Sequence, residues 1–335
     1  MTQKVKWAVL GAAGIARRVI PAMQQGDYTE VVGIASRDLS KAKAAAAEFG
    51  IPKAYGSYEE AIRDGDVEAI YIPLPNHLHV PWSIRAAEAG KHVLCEKPVA
   101  MSAAECRTLI AARDRTKVKI GEAFMVRTHP QWLRAREILR SGEIGPFALV
   151  IFPFSYFNVD PENVRNISEY GGGAMMDIGC YAVQISRFLL GEEPARVTAR
   201  MDKDPQFQVD RLTSGILEYP SGQCVFSCAT QLVRYQRVQI LGSKGRIEVE
   251  IAVNPPFDRP TRVLVDNGAD LLGSGVRVEE IPRCDQFTIQ ADLFSQAIRE
   301  GGPVPTPLED SLANMTVIEA VFESARAQAT VHLRK

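Results

Sequence analysis

A chain of 335 residues is longer than one ordinary hydrophobic core and is expected to divide into two domains. Its 39 basic and 40 acidic side chains give a formal net charge of -1, so no basic field draws it to phosphate backbones, and nucleic acid is excluded as an expected partner. The six cysteines form no C-x-x-C pair and no cluster with the five histidines, which predicts reduced, mostly buried thiols and no metal.

Lys4 and Lys6 lead directly into Trp7-Ala8-Val9-Leu10. No apolar run there is long enough for a secretory leader or a membrane span, and a soluble cytoplasmic protein is the expectation. Through the first third, apolar runs alternate with helical stretches, the pattern of a parallel sheet wrapped by helices. Strands are predicted at Val5 to Leu10, Glu30 to Ser36, Ala69 to Ile72, His92 to Glu96 and Lys119 to Phe124. Helices are predicted at Gly14 to Gln25, Ser40 to Phe49, Pro81 to Ala89 and Ala103 to Arg115, with Gly90 closing the third. Residues 1–125 therefore read as a doubly wound α/β dinucleotide-binding domain.

From about Thr128 the texture changes. A helix at Gln131 to Ser141 precedes strand-like runs at Ala148 to Phe157, Ala195 to Met201, Thr213 to Tyr219, Cys224 to Leu232, Arg234 to Leu241, Arg246 to Ile251 and Arg262 to Val265. These predict a large, mainly antiparallel open sheet. Helices at Asp285 to Glu300 and Leu308 to Ala327 follow. Residues 126–335 are expected to form an α+β domain for substrate binding and oligomerisation, with one sheet face under helices and the other open to a partner subunit in a homodimer or homotetramer.

Gly11-Ala12-Ala13-Gly14-Ile15-Ala16 follows the first strand and opens the first helix. Gly11 permits a tight turn, Gly14 or Ala13 lets backbone N–H groups approach a pyrophosphate, and Ala16 allows close helix packing. The alternative is a purely structural turn. Where an NAD binder carries an acidic residue for the ribose hydroxyls, this chain has Ser36-Arg37, a pair that matches a 2′-phosphate and predicts NADP(H). A solvated Arg37 is the alternative, because Asp38 is adjacent.

Lys97 follows Cys95-Glu96 at the carboxyl end of a predicted parallel strand, the edge at which open α/β sheets bind ligands. Asp177 and Tyr181 lie four apart after Gly171-Gly172-Gly173, so on a helix they share a face, and the glycines would let backbone and substrate approach. An ammonium and a phenol beside a nicotinamide can move a proton while the cofactor moves a hydride, which is alcohol–carbonyl oxidoreductase chemistry. Glu96 either pairs with Lys97 or contacts the nicotinamide amide, the second being favoured. Arg127 and Arg165 are candidate clamps for sugar hydroxyls or cofactor phosphate, or surface charges. Phe157 and Tyr156 offer an apolar face to a pyranose, or pack within the sheet. His129 is a candidate pocket wall, whereas His77 and His79 suit capping or packing, and Cys224 and Cys228 suit the core.

These residues carry a resemblance. Gly11 to Ala16, Ile72-Pro73-Leu74-Pro75-Asn76-His77-Leu78-His79, Glu96-Lys97-Pro98, Gly171 to Tyr181 and Ile240-Leu241-Gly242-Ser243-Lys244-Gly245 together resemble the glucose-fructose oxidoreductase / inositol dehydrogenase / MocA family over nearly the whole chain. Tyr181, Glu122 to Arg127 and His129-Pro130-Gln131 are similar to the branch holding dihydrodiol dehydrogenases, NADP-dependent xylose dehydrogenases and aldose-aldose oxidoreductase, and Phe154 to Asn166 is most similar to the last. Ala13 departs from the family's usual second glycine. The resemblance implies cofactor contacts from Gly11, Ala13, Gly14, Ile15, Ser36, Arg37, Lys41, Pro73, Leu74, Asn76, His79, Glu96, Lys97 and Arg127. It implies catalysis by Lys97, Asp177 and Tyr181, substrate contacts from Tyr156, Phe157, Arg165, His129, Asp177 and Tyr181, and a cis bond before Pro98. The implied activity is NADP(H)-dependent oxidation of an aldose at C1 to the lactone, with a second aldose reduced to an alditol on retained cofactor. Conventional xylose or trans-dihydrodiol dehydrogenation, or a catalytically silent NADP-sensing regulator, are the alternatives.

Overall fold

A computed structural model describes residues 3–12 and 14–333, so Ala13 of the glycine-rich turn lies outside the described residues. Two compact units emerge. The first takes the chain up to Met125 together with Asp285–Leu312, and the second takes Val126–Cys284 and the chain from Ala313 onward.

In the first unit, strands β1 (Val5–Leu10), β2 (Thr29–Ala35), β3 (Lys53–Tyr55), β4 (Ala69–Ile72), β5 (His92–Cys95) and β6 (Ile120–Glu122) form a sheet in the order β3-β2-β1-β4-β5-β6. Every pair in it is parallel. Parallel strands are sheltered on both faces, and β1 and β4 accordingly are almost wholly buried. The strand order reverses between β1 and β4, the crevice at which doubly wound sheets take ligands. The short strand β3 and the helix Tyr58–Arg63 were not evident in the sequence, because three residues are too few to set a period. Ser57 starts that helix by accepting the Glu60 N–H.

Asp285–Leu312, expected in the second domain, packs with the first. The cause is aromatic and polar burial: the Trp7 ring lies 5.6 Å from Phe294 and its indole N–H donates to Ser295 at 3.1 Å. Asp292 adds acceptors for the Asp27 and Tyr28 N–H groups at 2.8 and 3.0 Å.

In the second unit, β7 (Phe147–Phe157), β8 (Arg196–Lys203), β9 (Asp210–Tyr219), β10 (Gly222–Ala229), β11 (Gln231–Gln236), β12 (Val238–Gly242), β13 (Arg246–Val249), β14 (Thr261–Asp266), β15 (Val276–Ile281) and β16 (Val331–His332) build one sheet. Its order is β15-β14-β13-β12-β7-β10-β9-β8-β16, with β11 also on β7. Among the described residues only β7 and β10 pair in parallel. The run expected as one strand from Cys224 to Leu232 breaks at Thr230, and β11 and β12 then follow consecutive stretches of β7. One face carries Val150, Phe152, Phe154, Cys224, Phe226 and Cys228 into the core, all buried. On the other, register sets Ile151, Val225 and Ile216 side by side across three strands, half-exposed. Among the described residues no helix is long and apolar enough to cross a membrane.

Candidate active site

The nucleotide turn follows from β1. Gly11 donates its N–H to Ala35 at 2.8 Å with φ of +107°, and a Cβ there would stand 3.0 Å from Leu74 Cδ2. Only glycine suits that backbone and that approach. Gly14 and Ile15 are exposed, nothing stands within 4 Å of a Cβ built on Gly14, and Ala16 is buried at the helix start. At the end of β2, Ser36 is half-buried while Arg37 and Lys41 are exposed. Asp38, the one carboxylate beside them in sequence, is committed to its own helix: it accepts from the Ser40 N–H at 2.9 Å, the Ser40 hydroxyl at 2.6 Å and the Lys41 N–H at 3.4 Å. These bonds, led by the Ser40 hydroxyl, lower its pKa. Arg37 also lies against the Tyr58 phenol, where it opposes the upward push of burial on that group.

After β4, Pro73 and Leu74 are buried, Asn76 is half-buried and His79 is 1% exposed. His79 Nδ1 is 2.8 Å from the Pro98 carbonyl and Nε2 is 2.6 Å from the Leu74 carbonyl. The ring thus ties the loop beside Gly11 to the turn after Lys97. Burial drives its pKa down to about 4 against the pull of both carbonyls. The peptide bond between Lys97 and Pro98 is cis. Glu96 accepts the Tyr71 hydroxyl at 2.6 Å through Oε1 and lies 3.4 Å from the Lys97 N–H through Oε2. Glu122, given no site role from the sequence, is buried and accepts the Val99 N–H at 2.8 Å, which braces the same turn.

The second unit brings together three expected substrate residues. Asp177 Oδ2 accepts the Tyr156 hydroxyl at 2.6 Å and lies 2.8 Å from Arg165 Nε. The Asp177 carboxylate raises the Arg165 pKa against desolvation, and the Tyr156 and Tyr181 phenols contribute, so Arg165 is a fixed cation. Tyr181 is 4% exposed, with its ring 6.2 Å from Phe154. Phe157 stands 66% exposed at the end of β7.

Local backbone differs from the simple helix expected. Met175–Gly179 winds as a π-helical turn before the α-helix Cys180–Leu190 begins. The glycines serve the protein's own packing: a Cβ on Gly172 would lie 2.4 Å from the Arg165 carbonyl, and one on Gly173 would lie 2.0 Å from Asp210 Oδ1. Asp210, which no sequence pattern marked, is buried and accepts the Met175 N–H and the Thr213 hydroxyl, each at 2.7 Å.

Two other expected site residues have packing partners within the second unit. His129 is no open pocket wall: it is 1% exposed and caps the helix Pro130–Ser141, Nδ1 accepting the Gln131 N–H at 3.1 Å with Cys284 Sγ 3.4 Å from Nε2. Arg127 donates to Gln184 at 3.1 Å and lies over the Phe188 ring at 5.2 Å, against the helix Cys180–Leu190. None of the six cysteines forms a disulfide, and five of them are buried. Among the described residues no cluster of histidine, cysteine and carboxylate groups is arranged to hold a metal ion.

Comparison with known proteins agrees with this layout. Residues 5–124 match the model of an oxidoreductase family with an NAD-binding Rossmann fold, and residues 132–248 match the GFO/IDH/MocA C-terminal domain. An uncharacterized oxidoreductase of Rhizobium meliloti is 46% identical over 323 residues, 96% of this chain and 97% of that protein. The NADP(+) D-xylose 1-dehydrogenase 2 of Haloferax volcanii is 38% identical over 332 residues, 98% of this chain and 99% of that protein. Among solved structures, aldose-aldose oxidoreductase from Caulobacter crescentus, complexed with glycerol, superposes with a TM-score of 0.90 at 30% identity, covering 99% of this chain and 100% of that one. The parallel nucleotide sheet, the mixed second sheet and these matches along the whole chain establish it as a member of the GFO/IDH/MocA family of oxidoreductases.

Proposed function

We propose that the protein is an NADP(H)-dependent sugar oxidoreductase that oxidises an aldose at C1 to the lactone. The observation that carries this reading is the Tyr156–Asp177–Arg165 cluster, a fixed and charge-compensated set of groups suited to neutral hydroxyls. Its neighbour in the fold, Tyr181, supplies a phenol for proton transfer.

The residues present fit a dinucleotide with a 2′-phosphate. Gly11 keeps the turn open where a Cβ would fill it, Gly14 offers exposed backbone, and the self-capping of Asp38 commits the nearest carboxylate in sequence to its own helix, with Ser36, Arg37 and Lys41 around that helix N-terminus. Pro73, Leu74, Asn76 and Glu96 shape the remainder of that half, and His79 acts behind it. When bound, NADP+ would supply the acceptor for the hydride that leaves C1 with the electron pair of its C–H bond.

Tyr181 takes the proton of the C1 hydroxyl, with Lys97 as its cationic support, and returns a proton when the direction is reversed. Asp177 accepts a second sugar hydroxyl and orients C1, while Arg165 and Tyr156 hold the carboxylate in place. Phe157, largely exposed, offers its ring to an apolar face of the sugar.

Likeness to aldose-aldose oxidoreductase supports the further reading that the nucleotide stays bound and a second aldose is reduced to the alditol. Identity to the D-xylose 1-dehydrogenase favours a second reading, conventional dehydrogenation with free NADP. Incubation of purified protein with one aldose and no added nucleotide separates them. Equal amounts of aldonic acid and alditol support retention, and product formed only in proportion to added NADP supports the conventional reaction. We further propose that the row of Ile151, Val225 and Ile216 joins copies into a homodimer or homotetramer, a point read by solution mass.

A further inference from the structure

We infer that Asp210 is a positioning residue for the reaction, its buried carboxylate fixing the turn that carries Asp177 and leads into the helix of Tyr181. This rests on the functional reading above. The turn Met175–Gly179 is π-helical, a winding that needs support from outside the segment because its own hydrogen bonds are poorer than those of an α-helix.

Asp210 supplies that support at the point of entry. Its Oδ2 accepts both the Met175 N–H and the Thr213 hydroxyl at 2.7 Å, so strand β9 is fastened to the first residue of the turn. Its Oδ1 lies against Gly173, whose φ of +110° and close approach admit no side chain. Gly173 in turn donates its N–H to the Arg165 carbonyl at 2.8 Å and accepts the Asp177 N–H at 3.1 Å. Arg165 and Asp177, the two partners of the ion pair, therefore hang on one glycine that Asp210 holds in place.

At the far end of the turn, a Cβ on Gly179 would stand 2.6 Å from Met175 Sδ and 2.8 Å from Cys228 Sγ, so the turn has no slack against β10. Loss of the Asp210 acceptor leaves the Met175 N–H buried without its bond, and the turn can regain one only by rewinding. Rewinding toward an ordinary α-helix changes the rotation between Asp177 and Tyr181 and separates the two groups from a common substrate.

The test compares Asp210→Ala with Asp210→Asn in the full chain. The Asn amide oxygen can accept both hydrogen bonds, and Ala can accept neither. The expected result is a loss of at least about tenfold in kcat/KM for the aldose in Asp210→Ala, with NADP affinity within about twofold of wild type and most activity recovered in Asp210→Asn. Amides from Met175 to Tyr181 should exchange hydrogen faster in the Ala variant only. That exchange readout needs no turnover, so wild-type protein inactive on sugars would sink the functional reading and leave the positioning of the turn separately measured. A folded Asp210→Ala protein with wild-type exchange in the turn, or with wild-type kcat/KM, overturns the inference. So does equal loss in both variants, which would make the charge and not the hydrogen bonds the contribution. Should Asp210→Ala fail to fold, Thr213→Val removes one of the two donors that fix the carboxylate; faster exchange confined to the turn supports the inference and unchanged exchange overturns it.

Discussion

Arg165 Nε lies 2.8 Å from Asp177 Oδ2, and the same oxygen accepts the Tyr156 hydroxyl at 2.6 Å. One carboxylate thus orients a cation and a phenol, and its charge is compensated before any substrate arrives. Because the Arg165 side chain is 43% exposed, solvent screening limits the pair's contribution to stability to about 1 kcal/mol. Asp177→Asn should therefore fold normally and lose roughly 10- to 100-fold in kcat/KM, the scale of a charge-assisted hydrogen bond. Thermal midpoint and steady-state kinetics on the same preparation check both halves of that expectation.

Tyr181→Phe should bind nucleotide like wild type and lose roughly 10²- to 10⁴-fold in turnover, the usual contribution of a placed proton-transfer group. Lys97→Ala should lose a comparable amount and also disturb cofactor binding. Full turnover in the Phe variant would take the acid/base role away from Tyr181.

Arg37→Ala should erase the preference for NADP(H) over NAD(H), by about 1.5–3 kcal/mol for a lost charge-assisted phosphate contact. Titration of both nucleotides into both proteins reads it. Equal affinities in the wild type would remove the 2′-phosphate assignment.

Two buried groups set opposite pH dependences of stability. His79 titrates near 6.5 when unfolded and about 4 in the fold, so the unfolded chain holds the extra proton in between; stability rises with pH through that window and the contribution is lost as pH falls to about 4. Asp210 moves the other way, burial raising it from 3.8 to about 6, so its contribution is present below 3.8 and lost as pH rises to about 6. Each is on the order of 3 kcal/mol and they largely cancel. In thermal melts across this window, His79→Gln should uncover the falling dependence and Asp210→Asn the rising one. Unchanged pH dependence in both variants would contradict these assignments.

Much of this was legible in the sequence for a physical reason. Strands buried on both faces read as continuous apolar runs, and Gly11 must be glycine for its backbone, so the nucleotide half announces itself locally. The placement of Asp285–Leu312 did not, because an amphipathic helix shows which face it buries and not what it buries it against. Asp210 went unmarked and the burial of His129 unforeseen for the same cause: a polar residue gives no sign of burial until the chain has folded around it. The π-helical turn is set by Asp210 and Cys228, both distant in sequence, and a four-residue spacing between Asp177 and Tyr181 could not reveal it.

The central claim, NADP-linked oxidation of an aldose at C1, is tested most directly by mixing the purified protein with NADP+ and D-xylose or D-glucose while following nicotinamide absorbance and the sugar products. The account predicts lactone or aldonic acid, with electrons recovered in equal amount as NADPH plus any alditol, and loss of both in Tyr181→Phe. No sugar product with any aldose, in protein that binds NADP+ normally, would contradict it.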